Sequence, residues 1–387
     1  MSENMAEATR LTKLGRLQEA MAVLRGEAWG DRATDETPPA DAPGYIDMVQ
    51  ENGPGTSWKA APAEEESKPD APKHGLKLKL EGLAELVRLH KGFKGGGPLR
   101  TPSHKPLPDG ASFSTLAFSN AAGSRQYKLY VPSTHRAGSA LIVMLHGCTQ
   151  SPDDFAAGTQ MNDLAETHGF LVAYPAQPKS ANMNGCWNWF NTTDQQRDMG
   201  EPSIIAGLTR AIMAQYSVNP KSVFVAGLSA GGAMAAIMGA VYSELYAAVG
   251  VHSGLPVGSA HDMPSAFAAM GNGGRSSAVV SSSVPMIVFH GDADRTVNVS
   301  NGEEIISLAA RSGSLTRRGE IRHSAGGLDY TLTHYDNGAG VIMAEHWLLH
   351  GGGHAWSGGD GAGSYADPRG PNASQEMIRF FMKAVDQ

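Results

Sequence analysis

Gly227-Leu228-Ser229-Ala230-Gly231 sets a serine between two glycines, with Ser222-Val223-Phe224-Val225-Ala226 before it and Gly232-Ala233-Met234-Ala235-Ala236 after it. The five-residue pattern alone is weak. Its flanks read as a buried strand and as the start of a helix, which places Ser229 on a sharp strand-to-helix turn. Such a turn leaves no room for a β-carbon at the flanking glycines and holds the serine itself at an unfavourable backbone angle. The helix beyond offers unsatisfied N–H groups and the positive end of its dipole to a developing oxyanion. The chemistry is nucleophilic attack by an activated hydroxyl.

A hydroxyl needs a base, and the base needs a carboxylate to orient it. In strand–turn–helix serine sites these follow in the order serine, acid, histidine. The apolar run Pro285 to Phe289 leads into His290-Gly291-Asp292-Ala293-Asp294-Arg295-Thr296-Val297. Asp294 lies further out on the loop and is the expected acid; Asp292 is expected to close the turn on backbone N–H groups. The run Met343 to Leu349 ends in His350-Gly351-Gly352-Gly353-His354-Ala355-Trp356. Three glycines let the chain leave the sheet sharply, so His354 is the expected base and His350 the runner-up. After the run ending at Leu145 comes His146-Gly147-Cys148-Thr149-Gln150. The backbone N–H groups of Cys148 and Ala230 are the expected oxyanion donors, and His146 is expected to brace the loop.

The elements that must carry these loops alternate along the chain. Strands are expected at Arg125 to Val131, Ala140 to Leu145, Leu171 to Tyr174, Ser222 to Ala226, Ala247 to Val251, Pro285 to Phe289 and Met343 to Leu349. Helices are expected near 153–168, 201–216, 230–242, 301–312 and 371–385. Unbroken apolar strands between helices imply an α/β fold, a mostly parallel sheet covered on both faces. Loops at the carboxyl ends of parallel strands carry the function, and every motif above sits there. Glycine makes up 47 of 387 residues, against a usual share of about 7%, which fits many tight turns.

The first 110 residues differ. In residues 1–26, Leu11, Leu14, Leu17, Met21 and Leu24 gather on one helical face. A single such helix must pack on the main domain, on a second copy or on another surface. Residues 27–110 have linker composition, with Glu64-Glu65-Glu66 as an acidic run. Near 76–91 a basic amphipathic helix is expected, either a solvated face or a contact for an anionic surface. The catalytic domain is expected over 111–387. The net charge of −7 argues against nucleic acid as the main partner. No apolar run approaches the roughly 18 residues of a membrane span, and the N-terminal segment does not read as a secretory signal.

Together, LHGCTQSPDDFA (145–156), Gly185-Cys186-Trp187-Asn188-Trp189, GLSAGG (227–232), HGDADRTV (290–297), GGGHAWSGG (351–359) and DPRGPNAS (367–374) resemble the polyhydroxybutyrate depolymerase esterases, relatives of feruloyl and acetylxylan esterases. The resemblance covers residues 113 to 385. It implies the α/β-hydrolase fold, an esterase without metal or organic cofactor, an ester substrate that is polymeric for some members, and a triad of Ser229, Asp294 and His354. Members that digest extracellular polymer are commonly secreted, with a separate binding domain; here the extension is a helix and a linker.

Cys148 and Cys186 follow neighbouring strands, so a disulfide between them is expected to clamp the oxyanion loop; the alternative is two buried thiols. Such a bond would point to an oxidising compartment. Trp187 and Trp356 are expected to wall the substrate side of the site, with core packing as the alternative for Trp187 and Trp189. Competing functions are a feruloyl- or acetylxylan-type carbohydrate esterase, a serine peptidase and a non-catalytic surface-binding module. A peptidase needs charged groups that grip a peptide terminus, and no such cluster stands out. A non-catalytic module would be favoured by a missing triad member, and none is missing.

Overall fold

The computed structural model describes residues 48–50, 58–60, 106–276, 284–325 and 327–385. The chain divides into two units, Met1–Gly92 and Phe93–Gln387. In the first, strands β1 (Met48–Gln50) and β2 (Trp58–Ala60) pair antiparallel. The helix expected in residues 1–26 and the basic helix near 76–91 lie outside the described residues.

The second unit is built on one ten-stranded sheet. Its elements in chain order are β3 (Ser112–Asn120), β4 (Gly123–Val131), β5 (Leu141–Leu145), α1 (Pro152–Thr159), α2 (Met161–His168), β6 (Leu171–Pro175), α3 (Gly200–Gln215), β7 (Val223–Leu228), α4 (Ala230–Val241) and β8 (Ala248–His252). Then follow α5 (Met263–Asn272), β9 (Met286–Gly291), α6 (Ser300–Gly313), β10 (Thr316–Ala325), β11 (Leu328–Asp336), β12 (Ile342–Leu349), β13 (Trp356–Ser357), β14 (Ala366–Asp367) and α7 (Ala373–Val385). The strand order is β10-β11-β12-β9-β8-β7-β5-β6-β4-β3. From β6 to β12 all neighbours run parallel, and the outer pairs are antiparallel.

Apolar residues explain the layers. Every residue of β5, β6, β7 and β8 is buried, as strands covered on both faces must be. One core lies between the sheet and α3, α4, α5 and α6, and includes Leu208, Met234, Ala266 and Ile305. A second lies on the opposite face under α1, α2 and α7, and includes Phe155, Met161, Met377 and Phe381. The sheet is therefore doubly wound, and its parallel strands deliver their carboxyl ends to one edge.

Several features depart from the sequence reading. The helix expected over 153–168 is two helices, broken at Gln160, whose φ of 52° ends the first turn-by-turn run and whose side chain bonds Asp360 at 2.8 Å. Strands β3 and β10 carry polar, largely exposed residues, and β11 places Asp329, Thr331, Thr333, His334 and Asp336 among its apolar residues, so none offers the continuous apolar run that marks a central strand. Helix α5 falls in a stretch for which no element is expected. Its start was legible: Asp262 accepts from the Ser265 N–H at 2.8 Å, the Ser265 hydroxyl accepts from the Asp262 N–H at 3.1 Å, and Pro264 sits in the first turn, a capping box.

Candidate active site

Ser229 caps α4 directly after β7, with φ 58° and ψ −121°. That conformation is costly for a residue with a β-carbon and persists only where the surroundings over-determine it. Here the Ser229 N–H donates to the His252 carbonyl at 2.9 Å, and the Ser229 carbonyl accepts from the Ala233 N–H at 2.9 Å. A β-carbon on Gly231 would collide with the carbonyl oxygens of Leu145 and His146, and one on Gly227 would collide with the Gly231 carbonyl. Both glycines of the motif are thus required by backbone packed on backbone.

The loop after β9 and the loop after β12 are laced together: the Asp292 N–H donates to the Leu349 carbonyl at 3.0 Å and the Ala293 N–H to the Gly352 carbonyl at 3.1 Å. This lacing brings Asp294 to His354. The Asp294 Oδ2 and His354 Nδ1 are 2.7 Å apart. The Asp294 Oδ1 accepts from the N–H groups of Thr296 (2.8 Å) and Val297 (2.9 Å). Burial pushes the Asp294 carboxyl up, but the bond and charge of His354 and the Val297 N–H outweigh it, and the group lies below its ordinary value. It is a carboxylate at neutral pH, as an orienting acid must be. His290 lies beneath, its Nε2 3.6 Å from Asp294 and 2.9 Å from the Val297 carbonyl; burial lowers its pKa.

Asp292 and His350, the runners-up, form a second pair. The Asp292 Oδ2 and His350 Nδ1 are 2.9 Å apart, the Asp292 Oδ1 accepts from the Gly351 N–H at 2.7 Å, and the His350 Nε2 lies 2.8 Å from the Thr331 hydroxyl. Asp292 does close its turn on a backbone N–H, and it also holds a histidine.

The loop after β5, expected to carry an oxyanion donor, is braced from several sides. The Gly147 N–H donates to Gln150 Oε1 at 2.9 Å and the Thr149 N–H to the Asn184 carbonyl at 2.8 Å. Between them, the Cys148 N–H has no hydrogen-bond partner among the described residues. The Cβ position of Gly147 lies 3.5 Å from the Ser229 Cβ, so this loop borders the serine. His146 is buried; its Nε2 accepts from the Gln177 N–H at 3.1 Å and its Nδ1 donates to the Gly147 carbonyl at 2.8 Å. Cys148 and Cys186 are joined in a disulfide. Its far side is held by Glu201, which is buried and accepts from the Asn188 N–H at 2.8 Å, the Asn188 side chain at 2.9 Å and Arg125 at 3.1 Å, with Gln177 on the same oxygen. Burial raises the Glu201 pKa.

The two tryptophans are corrected by their burial. Trp187 is 0% exposed and Trp356 1%, so neither presents a wall to a substrate. Trp187 donates to the His146 carbonyl at 3.1 Å. Trp356 donates to the Ser374 hydroxyl at 3.0 Å and stacks on His252 at 5.3 Å. Both support the site from behind, because each indole N–H finds its acceptor inside the protein.

Two residues near these groups were not singled out in the sequence. His252, fully buried under Ser229, accepts at Nε2 from the Ser357 N–H at 3.0 Å, and burial lowers its pKa to about 3, with the charges of His290 and His354 adding to the effect. It is therefore neutral and structural. Tyr365 places its ring edge-on to His354 at 6.4 Å and its hydroxyl 3.3 Å from the Thr149 hydroxyl. Its sequence context, Gly361 to Ala366, reads only as a turn. Among the described residues no hydrogen bond joins Ser229 to His354, and catalytic hydrogen bonds often tighten only with substrate bound. Among the described residues, no group of three His, Cys, Asp or Glu side chains could hold a metal, and no helix is long and apolar enough to cross a membrane.

Residues 125–325 match the protein-family model described as Esterase PHB depolymerase. The poly(3-hydroxyalkanoate) depolymerase C of Paucimonas lemoignei is 30% identical over 250 residues, 61% of this chain and 60% of that protein. The poly(3-hydroxybutyrate) depolymerase of Ralstonia pickettii is 26% identical over 291 residues, 68% of this chain and 58% of that protein. The chain thus spans about three fifths of the length of these relatives. The acetylxylan esterase A of Talaromyces purpureogenus is 29% identical over 201 residues, 47% of this chain and 52% of that protein. The acetyl xylan esterase from Aspergillus awamori superposes with a TM-score of 0.57 at 20% identity, covering 70% of this chain and 99% of that one, and so shares the α/β-hydrolase fold.

Proposed function

This chain belongs to the esterase PHB depolymerase family, and on that premise we propose that it hydrolyses carboxylic esters through an acyl-enzyme on Ser229. The observation that carries the reading is the buried Asp294–His354 pair at 2.7 Å, with the aspartate's other oxygen occupied by two backbone N–H groups. With Nδ1 bound to the carboxylate, the imidazole keeps Nε2 for the serine proton.

In the proposed cycle His354 takes the proton of Ser229, and the serine oxygen attacks the ester carbonyl. The Cys148 and Ala230 N–H groups receive the oxyanion. The tetrahedral species collapses as His354 returns the proton to the leaving alcohol. Water, deprotonated by the same base, then attacks the acyl-enzyme and releases the acid and the free serine. The strained serine and the clamped loop prepare the site before substrate arrives, so little reorganisation is needed in the transition state.

The substrate proposed is a hydroxyacyl polyester or its oligomers, after the names of the two bacterial relatives. The second reading, an acetylated polysaccharide, is favoured by the acetylxylan esterases among the relatives. Hydrolysis of nitrophenyl acetate and butyrate by wild type and Ser229→Ala tests the chemistry. Turnover lost in the variant supports it, and no turnover by folded wild type on any ester overturns it. Comparing release of hydroxyacid from polyester with release of acetate from acetylxylan separates the two substrates.

A further inference from the structure

Tyr365 is 37% exposed yet anchored on both sides of the proposed site. Its ring meets the His354 imidazole edge-on with centroids 6.4 Å apart. Its hydroxyl lies 3.3 Å from the Thr149 hydroxyl, next to the proposed oxyanion donor Cys148. Its backbone is held with φ 51°, in the left-handed region that residues with a β-carbon seldom adopt. The preceding residue fastens it: the Ser364 N–H donates to Asp154 Oδ1 at 2.8 Å, and the Ser364 carbonyl accepts from Gln150 Nε2 at 2.9 Å. Gln150 is the same side chain that holds the Gly147 N–H. The Tyr365 carbonyl accepts from the Trp356 N–H at 2.7 Å. The loop carrying this ring is therefore tied to the oxyanion loop and to the segment just beyond the base.

The tetrahedral centre has four substituents. One is the serine oxygen. The oxyanion points to its donors, and the leaving oxygen points to the imidazole that protonates it. The acyl carbon takes the remaining direction. A side chain touching both the base and the oxyanion loop stands across from the acyl carbon, beside the leaving alcohol. Resting on the ester-hydrolase reading above, we propose that Tyr365 forms the contact surface for the alcohol portion of the ester and sets specificity there. In a polyester that portion is the rest of the chain, and in an acetylated polysaccharide it is the sugar. Tyr365 thus faces one of the two halves by which the substrate classes differ. A half-exposed aromatic ring suits either, since its face offers apolar area and its hydroxyl a polar edge.

The test varies the two halves of the ester separately. One series holds acetate constant and changes the alcohol from methyl to phenyl to 2-naphthyl. The other holds nitrophenol constant and lengthens the acyl group from acetate to hexanoate. For Tyr365→Ala, the kcat/KM ratio of 2-naphthyl to methyl acetate is expected to fall about tenfold, and the hexanoate-to-acetate ratio to stay within about twofold. Tyr365→Phe keeps the ring and is expected to keep both ratios within about twofold. Tyr365→Asn, whose side chain tolerates a positive φ, is a second truncation should the alanine variant fold poorly, and the same fall is expected. An unchanged or rising alcohol ratio in the truncations, or a change confined to the acyl series, overturns the proposal while leaving the esterase intact. Wild type inactive on both series would instead overturn the esterase reading on which it rests.

Discussion

Two aspartate–histidine pairs grow from the same two loops, and they differ in everything but the pair itself. Asp294–His354 and Asp292–His350 have similar hydrogen bonds, 2.7 and 2.9 Å. The first pair is buried, with 0% exposure for Asp294 and 11% for His354; in the second both side chains are 39% exposed. The second nitrogen of His350 is occupied by the Thr331 hydroxyl, whereas that of His354 has no hydrogen-bond partner among the described residues. A carboxylate bound to an imidazole is therefore not enough to mark a base. What suits His354 to the proposed role is a low-dielectric setting, where the pairing is strong, together with a free nitrogen. The exposed pair is suited instead to pinning the end of β12 to the loop after β9.

Substitution of the serine and of each histidine would break or sharpen that contrast most directly. Ser229→Ala and His354→Ala are each expected to lower kcat by about 10⁴-fold or more in nitrophenyl ester hydrolysis, since members of such a triad act as a unit. His350→Ala is expected to cost less than about tenfold. Equal losses for the two histidines would erase the distinction. Next in size, Asp294→Asn is expected to cost about 10³- to 10⁴-fold in kcat with the melting temperature little changed, because an amide holds the wrong imidazole tautomer. The matching Asp292→Asn variant is expected to stay within about tenfold.

Smaller effects test the ground on which the pairs stand. The Cys148–Cys186 bond closes a loop of sequence separation 38, and the Cys148→Ser, Cys186→Ser double variant is expected to lose about 3–4 kcal/mol by chain entropy. Thermal unfolding with and without reductant measures this; no difference would mean that the hydrogen bonds around the loop hold it without the disulfide. A further effect is the pH dependence of stability. Burial holds His252 at about 3 and His346 at about 4, against an ordinary 6.5. The unfolded chain takes these protons first, so stability is expected to fall as pH is lowered from about 6.5 towards 4. Glu201, raised by burial, works in the opposite sense, because the folded state takes its proton first. Melting temperatures from pH 7 to pH 4.5 should drop, and His252→Gln should show a shallower slope. An equal slope would place the acid sensitivity elsewhere.

Much of the site is legible because its constraints are local. The serine's flanks, the glycines at 227 and 231 and the three glycines before His354 describe backbone turns, and a turn is written in the residues that make it. The parallel core is legible for the same reason, since β5 to β8 are continuous apolar runs. The strands β3, β10 and β11 of the outer antiparallel pairs are not, because such a strand is stabilised by the neighbours it pairs with rather than by its own apolar content. The tryptophans mislead in sequence: an indole beside a site residue reads equally well as wall or as core, and only the position of Ser374 and of the His146 carbonyl decides for the core.

By itself the sequence determined the order of the central parallel strands and most of the helices between them, the serine's turn, the two loops expected to supply acid and base, and the two cysteines available to join. Tertiary structure decided which nitrogen of which histidine is free, which aspartate is dry, and that Tyr365 rather than a tryptophan lies between His354 and the loop carrying Thr149. Those outcomes depend on contacts between residues 19 to 216 positions apart. Their energies come from burial and hydrogen-bond partners, which exist only once the sheet has assembled its loops at one edge.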